Sequence, residues 1–357
     1  MKKSTTIYDI ARESGMSVST VSRVLNNSPS VSEKSLRKVR AVIDKYQFAP
    51  SAVARAMSNN RTKTFGVIVS DIANPYFSAL FLEVERYALQ YNYSIILCNT
   101  LFGGSSHGVS SPISEAEYFQ TLLSKKIDGA IIMGGEIDKE QITDDYLQAL
   151  NRLAAQIPVV VIGQAIEGCN CIFLNRNLGG GFSSLVRHLA VLGNRRIGFV
   201  GGEPGVRQTT ARFEAYRATL ESMGLPYEPE LVALTDYYSK DGYEGMTHIL
   251  NSKVEPPDAV VAINDAVAIG AIRAINDHAL RCPEDIALVS GDQFFESDFI
   301  TPRLTSLDQQ NGYLGRLAIL SLISAVNGVH EDVAFEHDPR LIIRESCGSK
   351  IDRWPQR

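Results

Sequence analysis

Long apolar runs are missing from this chain of 357 residues. No stretch reaches the roughly 18 uninterrupted apolar residues that a membrane helix needs, and the opening MKKSTTIYDIARESG lacks the apolar core of a signal peptide. A cytoplasmic protein is therefore expected. Cysteine is scarce: Cys98, Cys169, Cys171, Cys282 and Cys347 make five, whereas a disulfide framework prefers an even set in a shorter secreted chain. They read as reduced thiols. The stretch GCNC around Cys169 and Cys171 stands without a second Cys or His pair and reads as a loop rather than a metal site. Catalytic signatures are missing as well. The sequence has no Walker loop, no metal-ligand cluster and no evident acid/base pair, and GGSSHG is not the strand–turn–helix corner of a serine hydrolase. Neither enzyme activity nor a cofactor is expected.

What the chain does have is an uneven charge. Residues 1–63 hold 12 Lys and Arg against 4 Asp and Glu, and the remainder holds 23 against 36. The net charge of −5 hides a basic head on an acidic body, the pattern expected when only the head meets a polyanion. The length exceeds what one core usually organises, so two or three domains are expected.

The head reads as three short helices. Thr6 caps the first, whose Ile7, Ile10 and Ala11 share one face, and Gly15 ends it. After the turn GMS, Ser17 starts a second helix with Val21, Val24 and Leu25 inward and Val18, Ser19, Ser22 and Arg23 outward. The third begins at Ser32 and runs through Leu36, Val39, Val42 and Ile43, with Arg37, Lys38 and Arg40 toward solvent. These residues alone fit both a plain bundle with a solvated charged face and a DNA-reading helix-turn-helix.

The segment TIYDIARESGMSVSTVSRVLNN and its continuation VSEKSLRKVRAVIDKYQFAPSAVARAMSNNRTKTFGVIVSDIANPYFSAL resemble the lactose repressor (LacI/GalR) family, and the likeness runs more loosely to about residue 345. The resemblance implies a small all-α helix-turn-helix headpiece over residues 1–49 and a hinge helix and linker over 50–63. A two-lobed core fills 64–345, and a tail occupies 346–357. In that family the helix at 17–26 enters the major groove, so Val18 and Ser19 stand where bases are chosen, with Arg23 one turn later. The side chains suit this: Ser19 can donate or accept, Val18 can touch a thymine methyl, and Arg23 can pair with guanine. Thr6, Ser17, Thr20 and Ser22 suit phosphates.

Between head and body, Pro50 interrupts the preceding structure and Ser51 can cap a short helix through Met57, marginal on its own. Hinge helices of the family pair in a dimer and wedge an apolar side chain, usually leucine, into the minor groove. By resemblance Met57 takes that place, Ala54 makes close hinge contacts and Arg55 reaches phosphates.

From Thr64 the texture changes to short apolar runs, FGVIVS, YSIILCNT, DGAIIMGG, PVVVIG, RIGFVGG, DAVVAIND and IALVSGD, alternating with segments of helical periodicity. Buried parallel strands in an open α/β fold are expected, arranged as two lobes with ligands collecting at the strand ends. The resemblance implies a periplasmic-binding-protein-like core, its lobes split near 162 and 293 with a return crossover near 325.

Strand ends supply the candidate ligand residues. They are Asp71, Asn74, Tyr76 and Phe77 after the first strand, Gln164 after PVVVIG, then Arg212, Asp236, Tyr237, Asn264, Asp265 and Asp292. By resemblance Phe77, Arg212, Tyr237, Asn264 and Asp292 line an effector pocket, with Tyr76, Gln164 and Gln309 as neighbours. Aromatic faces with aimed Asp, Asn and Arg groups suit a sugar, and would also suit a stacked purine. Asn264 and Asp265 could equally cap the helix that follows them, and Asp71 the helix after NPY. Gly163-Gln164, Gly193-Asn194 and Ser290-Gly291-Asp292 depart from the family pattern, so the effector's identity does not carry over. The long segment 102–114 reads as a loop, with His107 as a lid contact. The expected function is a DNA-binding regulator of carbohydrate-utilisation genes, acting in the cytoplasm on the nucleoid. It would repress as a homodimer on a pseudopalindromic operator and be released by a sugar-like effector, or be assisted by a purine corepressor.

Overall fold

Thr6 and Asp9 close the first helix reciprocally. The Thr6 hydroxyl accepts from the Asp9 amide (3.4 Å), and the Asp9 carboxylate accepts from the Thr6 amide (2.9 Å), which satisfies amides left over at a helix start. Helix α1 spans Ile7–Ser14 and ends at Gly15, whose φ of 65° is the left-handed value that glycine adopts without a Cβ penalty. Helices α2 (Val18–Leu25) and α3 (Glu33–Tyr46) follow, and Ile10, Ala11, Val21, Val24 and Val39 form the buried core between the three. In this computed structural model residues 5–25, 30–48, 61–101, 113–329 and 337–349 are described. The expected hinge residues Ala54, Arg55 and Met57, the bulk of the 102–114 segment with His107, and residues 350–357 lie outside them. The chain divides into two compact units, Met1–Thr62 and Lys63–Arg357.

The second unit carries two sheets. The first contains β1 (Thr64–Val69), β2 (Ser94–Asn99), β3 (Gly129–Met133), β4 (Val159–Ile162) and β5 (Ile172–Leu174), all parallel in the order β2-β1-β3-β4-β5. The second contains β6 (Ile197–Val200), β7 (Val232–Ala233), β8 (Ala259–Ala262), β9 (Ala287–Ser290), β10 (Thr305–Asp308) and β11 (Arg340–Ile342) in the order β11-β10-β9-β8-β6-β7. Only the β10–β11 pairing in it is antiparallel. Helices α4 (Pro75–Gln90), α5 (Glu115–Ser124) and α6 (Asp144–Ala154) fall within the first lobe, and α7 (Leu178–Val191), α8 (Arg207–Ser222), α9 (Ser239–Leu250) and α10 (Asp265–Asp277) within the second. The last helix, α11 (Asn311–Val326), returns to the first lobe.

Strands buried on both faces explain the near-continuous apolar runs. On one face of the first sheet, Phe65, Val67, Ile131 and Val160 meet Leu80 and Val84 of α4 and Ala318, Ile319 and Leu322 of α11. On the other, Ile68, Ile132 and Val161 meet Phe119 and Leu122 of α5 and Leu150 and Leu153 of α6. The second lobe has a single larger core around Phe182, Phe199, Tyr216 and Val260.

The lobe boundaries differ from those the sequence suggested. The chain leaves the first sheet after Leu174 rather than near 162, because β5 adds to β4. The second lobe continues past 293, because β10 pairs with β9. The expected tail also begins too early at 346: the Ser346 hydroxyl donates to the Leu288 carbonyl (2.7 Å) and accepts from the Thr305 amide (2.9 Å), and Cys347 is buried. No helix among the described residues is long and apolar enough to cross a membrane.

Candidate functional site

In the head, the start of α2 gathers hydroxyls. Ser17 caps the helix by accepting from the Thr20 amide (3.1 Å), and its oxygen lies 2.9 Å from the Ser19 hydroxyl and 2.8 Å from that of Thr20. Ser17, Ser19 and Arg23 are exposed, while Thr20 and Ser22 are half-buried. Val18 differs from its expected outward position: it is half-buried and packs against the core of the bundle. Thr6 is exposed, with its hydroxyl hydrogen-bonded to Asp9 (2.7 Å).

In the body, strand ends of the two lobes face each other across a cavity of about 80 Å³. The first lobe contributes Asp71, Asn74, Tyr76, Phe77 and Asp138, and the second Glu203, Gln208, Arg212, Asp236, Tyr237, Tyr238, Asn264 and Asp292. Arg212 anchors the second-lobe wall. Its guanidinium pairs with the Asp292 carboxylate (3.2 and 3.4 Å), donates to the Ile263 carbonyl (3.0 Å) and lies over the Phe182 ring. Burial pushes the Asp292 carboxyl up, against the pull of Arg212 and Arg176.

Polar contacts join the lobes across this cleft. The Tyr238 hydroxyl donates to Asp71, Gln208 Nε2 donates to Asp138 (2.6 Å), and Arg207 Nε donates to the Lys139 carbonyl (2.8 Å). Asp138 is buried, and burial raises its carboxyl to about 6 although Arg176 and Gln208 favour the charged form. Behind the wall, Arg176 lies over the Tyr76 ring at 4.7 Å. Tyr76 Oη, Arg176 Nη1, Arg212 Nε and Gln309 Oε1 are buried polar atoms with no partner among the described residues. Such atoms call for a ligand or ordered water.

Of the expected cleft residues, Asp71, Tyr76, Phe77, Arg212, Tyr237, Asn264 and Asp292 come together. Gln164 does not. Gly163 bonds to the Leu174 carbonyl (3.2 Å), so the chain turns along β5 and carries Gln164 into a separate depression beside Asn175 and Arg176. Gln309 stands behind the wall, donating to the Gly291 carbonyl (2.6 Å) and to Asp292. Asn264 is committed to capping α10: its oxygen accepts from Val267 (2.9 Å) and its amide donates to the Tyr237 carbonyl (2.9 Å). Asp265, also weighed as a cap, instead receives Ser306 (3.0 Å), Ser297 and the Phe294 amide (3.0 Å). Asp71 does not cap α4; Asn74 does, accepting from the Tyr76 amide (3.0 Å). Asp138, Gln208, Tyr238 and Arg176 went unnoticed in the sequence, although Asp138 follows β3 as the strand-end rule requires.

Comparison with known proteins agrees with this architecture. Residues 6–51 match the pattern of bacterial regulatory proteins of the lacI family, and 186–347 that of a periplasmic binding protein-like domain. The HTH-type transcriptional repressor PurR of Haemophilus influenzae (strain PittEE) is 31% identical over 348 residues, covering 96% of this chain and 99% of that protein. The chain belongs to the LacI family. A second LacI-family relative, PurR of Pasteurella multocida, is 32% identical over 97% of this chain and 99% of its own length. Among solved structures, the Lac repressor dimer bound to operator and an anti-inducer superposes with a TM-score of 0.83 at 23% identity, covering 97% of this chain and 99% of that one. The regulator CelR in complex with cellobiose gives 0.67 at 24%, covering 96% and 99%. Both share the LacI-family fold, a headpiece on a two-lobed core.

Proposed function

We propose that this LacI-family regulator is a repressor that binds a pseudopalindromic operator as a homodimer and is switched by a small uncharged polar effector held between its lobes. The observation that carries the effector reading is the cleft wall. Asp71, Asp138, Glu203, Asp236 and Asp292 face a single cation among the described lining residues, Arg212, a balance that disfavours anions such as sugar phosphates and nucleotides. Tyr76, Phe77 and Tyr237 add ring faces, so a neutral sugar fits, with Arg212 and Asp292 serving its hydroxyls. The hydroxyl-rich start of α2, with Val18, Ser19 and Arg23, would read bases, while Thr6, Ser17, Thr20 and Ser22 contact phosphates. In the hinge segment Ala54, Arg55 and Met57 would meet the minor groove. The reading has no catalytic step and acts in the cytoplasm.

Unpaired apolar surface supports the homodimer. Leu82 and Leu89 of α4 are 60% and 64% exposed, and Phe295 and Phe299 are 79% and 72% exposed. A second copy covering these faces fits two-fold headpieces on a two-fold operator. An effector must displace the Tyr238–Asp71 and Gln208–Asp138 contacts or exploit them. It can shift the lobe arrangement only by its differential affinity for the two arrangements.

A purine corepressor is the second reading, favoured by the PurR relatives. Gel shifts on the chain's own upstream DNA, with neutral sugars, sugar phosphates and purine bases added in turn, separate the two. Release by a neutral sugar is expected. Tightening by a purine would reverse the sign, and a chain that shifts no DNA would overturn the repressor reading.

A further inference from the structure

The turn that follows β3 reaches across to the second lobe. Residues Glu136–Asp138 form a single helical turn, closed by the Asp138 amide on the Gly135 carbonyl (3.1 Å) and the Lys139 amide on the Glu136 carbonyl (3.2 Å). Beyond it Lys139 is extended and pairs with Val206 as an isolated antiparallel bridge, and the Glu140 amide donates to the Gly205 carbonyl (2.9 Å). Side chains of the second lobe reinforce this backbone pairing. Arg207 Nε donates to the Lys139 carbonyl (2.8 Å), the Thr210 hydroxyl donates to the Glu140 carboxylate, and Gln208 donates to Asp138 (2.6 Å). Residues 138–140 and 205–210 form one seam between the lobes, beside the cleft that Asp138, Val206 and Gln208 help to line.

A carboxyl from another element fixes the base of this turn. Glu115, the first residue of α5, is buried; one of its oxygens accepts from the Glu136 amide (2.9 Å) and the other from the Tyr146 hydroxyl of α6 (3.0 Å). Gly135 makes room for the carboxyl. Its φ is 93°, and a Cβ on it would overlap the Glu115 oxygens. Burial raises the Glu115 carboxyl to about 7, so the site disfavours the charged form and the group does not repay its place in stability. What the carboxyl does supply is a fixed position for the Glu136 amide.

We propose that Glu115 is a positioning residue for the seam: by fixing the Glu136 amide it sets where Asp138, Lys139 and Glu140 meet the second lobe. Helix α5 thereby governs how firmly the lobes are joined, although none of its residues lines the cleft. The inference concerns the lobes alone and stands whichever effector the cleft takes.

The test follows amide hydrogen exchange by mass spectrometry in the full-length chain, comparing the wild type with Glu115→Ala, Glu115→Asp and Glu115→Gln. Aspartate keeps the charge but falls one methylene short of the Glu136 amide, whereas glutamine keeps the reach and an acceptor oxygen. Peptides covering 138–141 and 204–210 are expected to exchange at least roughly tenfold faster in the alanine and aspartate variants, because the seam opens more often. In the glutamine variant they should exchange no faster than in the wild type, and peptides from β3 and β8 should keep their protection throughout. Should the alanine variant fail to fold, the aspartate variant decides. Unchanged exchange of the seam in the aspartate variant would overturn the proposal, as would a glutamine variant equally loose. Loosening that extends equally through β3 and β8 would overturn it too, by reducing Glu115 to a general support of the fold.

Discussion

The head presents its candidate side chains outward, whereas the cleft holds its own inside. Ser17, Ser19 and Arg23 stand in solvent over a core of five buried residues. Asp138, Arg212 and Asp292 are buried among three much larger cores. Exposed hydroxyls and guanidinium groups cost little to leave in water and can exchange local hydrogen bonds, such as that between Ser17 and Ser19, for a partner that brings its own charge. Buried charges must be paired, so a ligand arriving in the cleft exchanges existing partners such as the Arg212–Asp292 pair, besides meeting buried atoms such as Arg212 Nε that have none among the described residues. The difference teaches that substitutions at the exposed Ser17, Ser19 and Arg23 should act on recognition alone, while those in the cleft act on recognition and stability together.

The largest expected effect is that of Arg212→Ala, which strands Asp292 without its guanidinium. About 3–5 kcal/mol of stability should be lost from the body, read as a lower urea midpoint. Effector affinity by calorimetry should fall at least about a hundredfold, each tenfold being about 1.4 kcal/mol. Operator affinity should survive wherever the chain remains folded. An equal loss at the operator would break the division between the units.

Glu115 sharpens the same comparison by pH. It is buried, accepts from the Glu136 amide (2.9 Å) and from Tyr146 (3.0 Å), and burial raises its carboxyl from 4.5 to about 7. Between those values the folded chain holds the proton more tightly than the unfolded one. Its stabilising contribution is therefore full below pH 4.5 and is lost as pH rises through about 7. Glu115→Gln should flatten this slope and gain about 1–3 kcal/mol on the wild type between pH 5 and pH 8, in parallel urea titrations. A variant that tracks the wild type at both pH values would show that the carboxyl does not govern the slope.

Exchanging Val18 and Ser19 should redirect operator preference by about 1–3 kcal/mol per base contact and leave the urea midpoint of the body unchanged. A randomised-operator selection returning the original sequence would remove these residues from base reading. The smallest effect belongs to Tyr238→Phe, which deletes one contact between the lobes. It should shift the effector titration by about 0.5–1.5 kcal/mol with operator sequence preference intact, and an unmoved titration would separate that contact from ligand response.

Local signals carried most of the fold. Caps at Thr6, Ser17 and Ser32 and the turn at Gly15 are set by neighbours a few residues away, so the head was legible in detail. Fully buried strands such as β3 and β4 announced themselves by apolar runs. The polar β10, Thr-Ser-Leu-Asp, and the very short β5, β7 and β11 did not. Their strand character comes from pairing with their neighbours in the sheet, and through β5 and β10 the two sheets run past the boundaries near 162 and 293 that the resemblance implied. The cleft was legible where a residue directly follows a long strand, as with Asp71 and Asp292. Gln164 was misplaced because an unseen strand redirects its backbone, and Arg176 was missed because its place over Tyr76 joins residues far apart in the chain.

The excursion of α11 back to the first lobe bears on the order in which the protein can be made. The face of the first sheet that holds Phe65 and Val67 is covered by Leu314, Ala318, Ile319 and Leu322, which leave the ribosome long after the strands they cover. During synthesis the head can complete its core early, but the first lobe must wait with part of one apolar face, beside Leu80 and Val84 of α4, bare until nearly the whole chain has emerged. Premature termination just before Asn311 should therefore harm the lobe made first, turning it into a target for chaperones and proteases even though all five of its strands are already present.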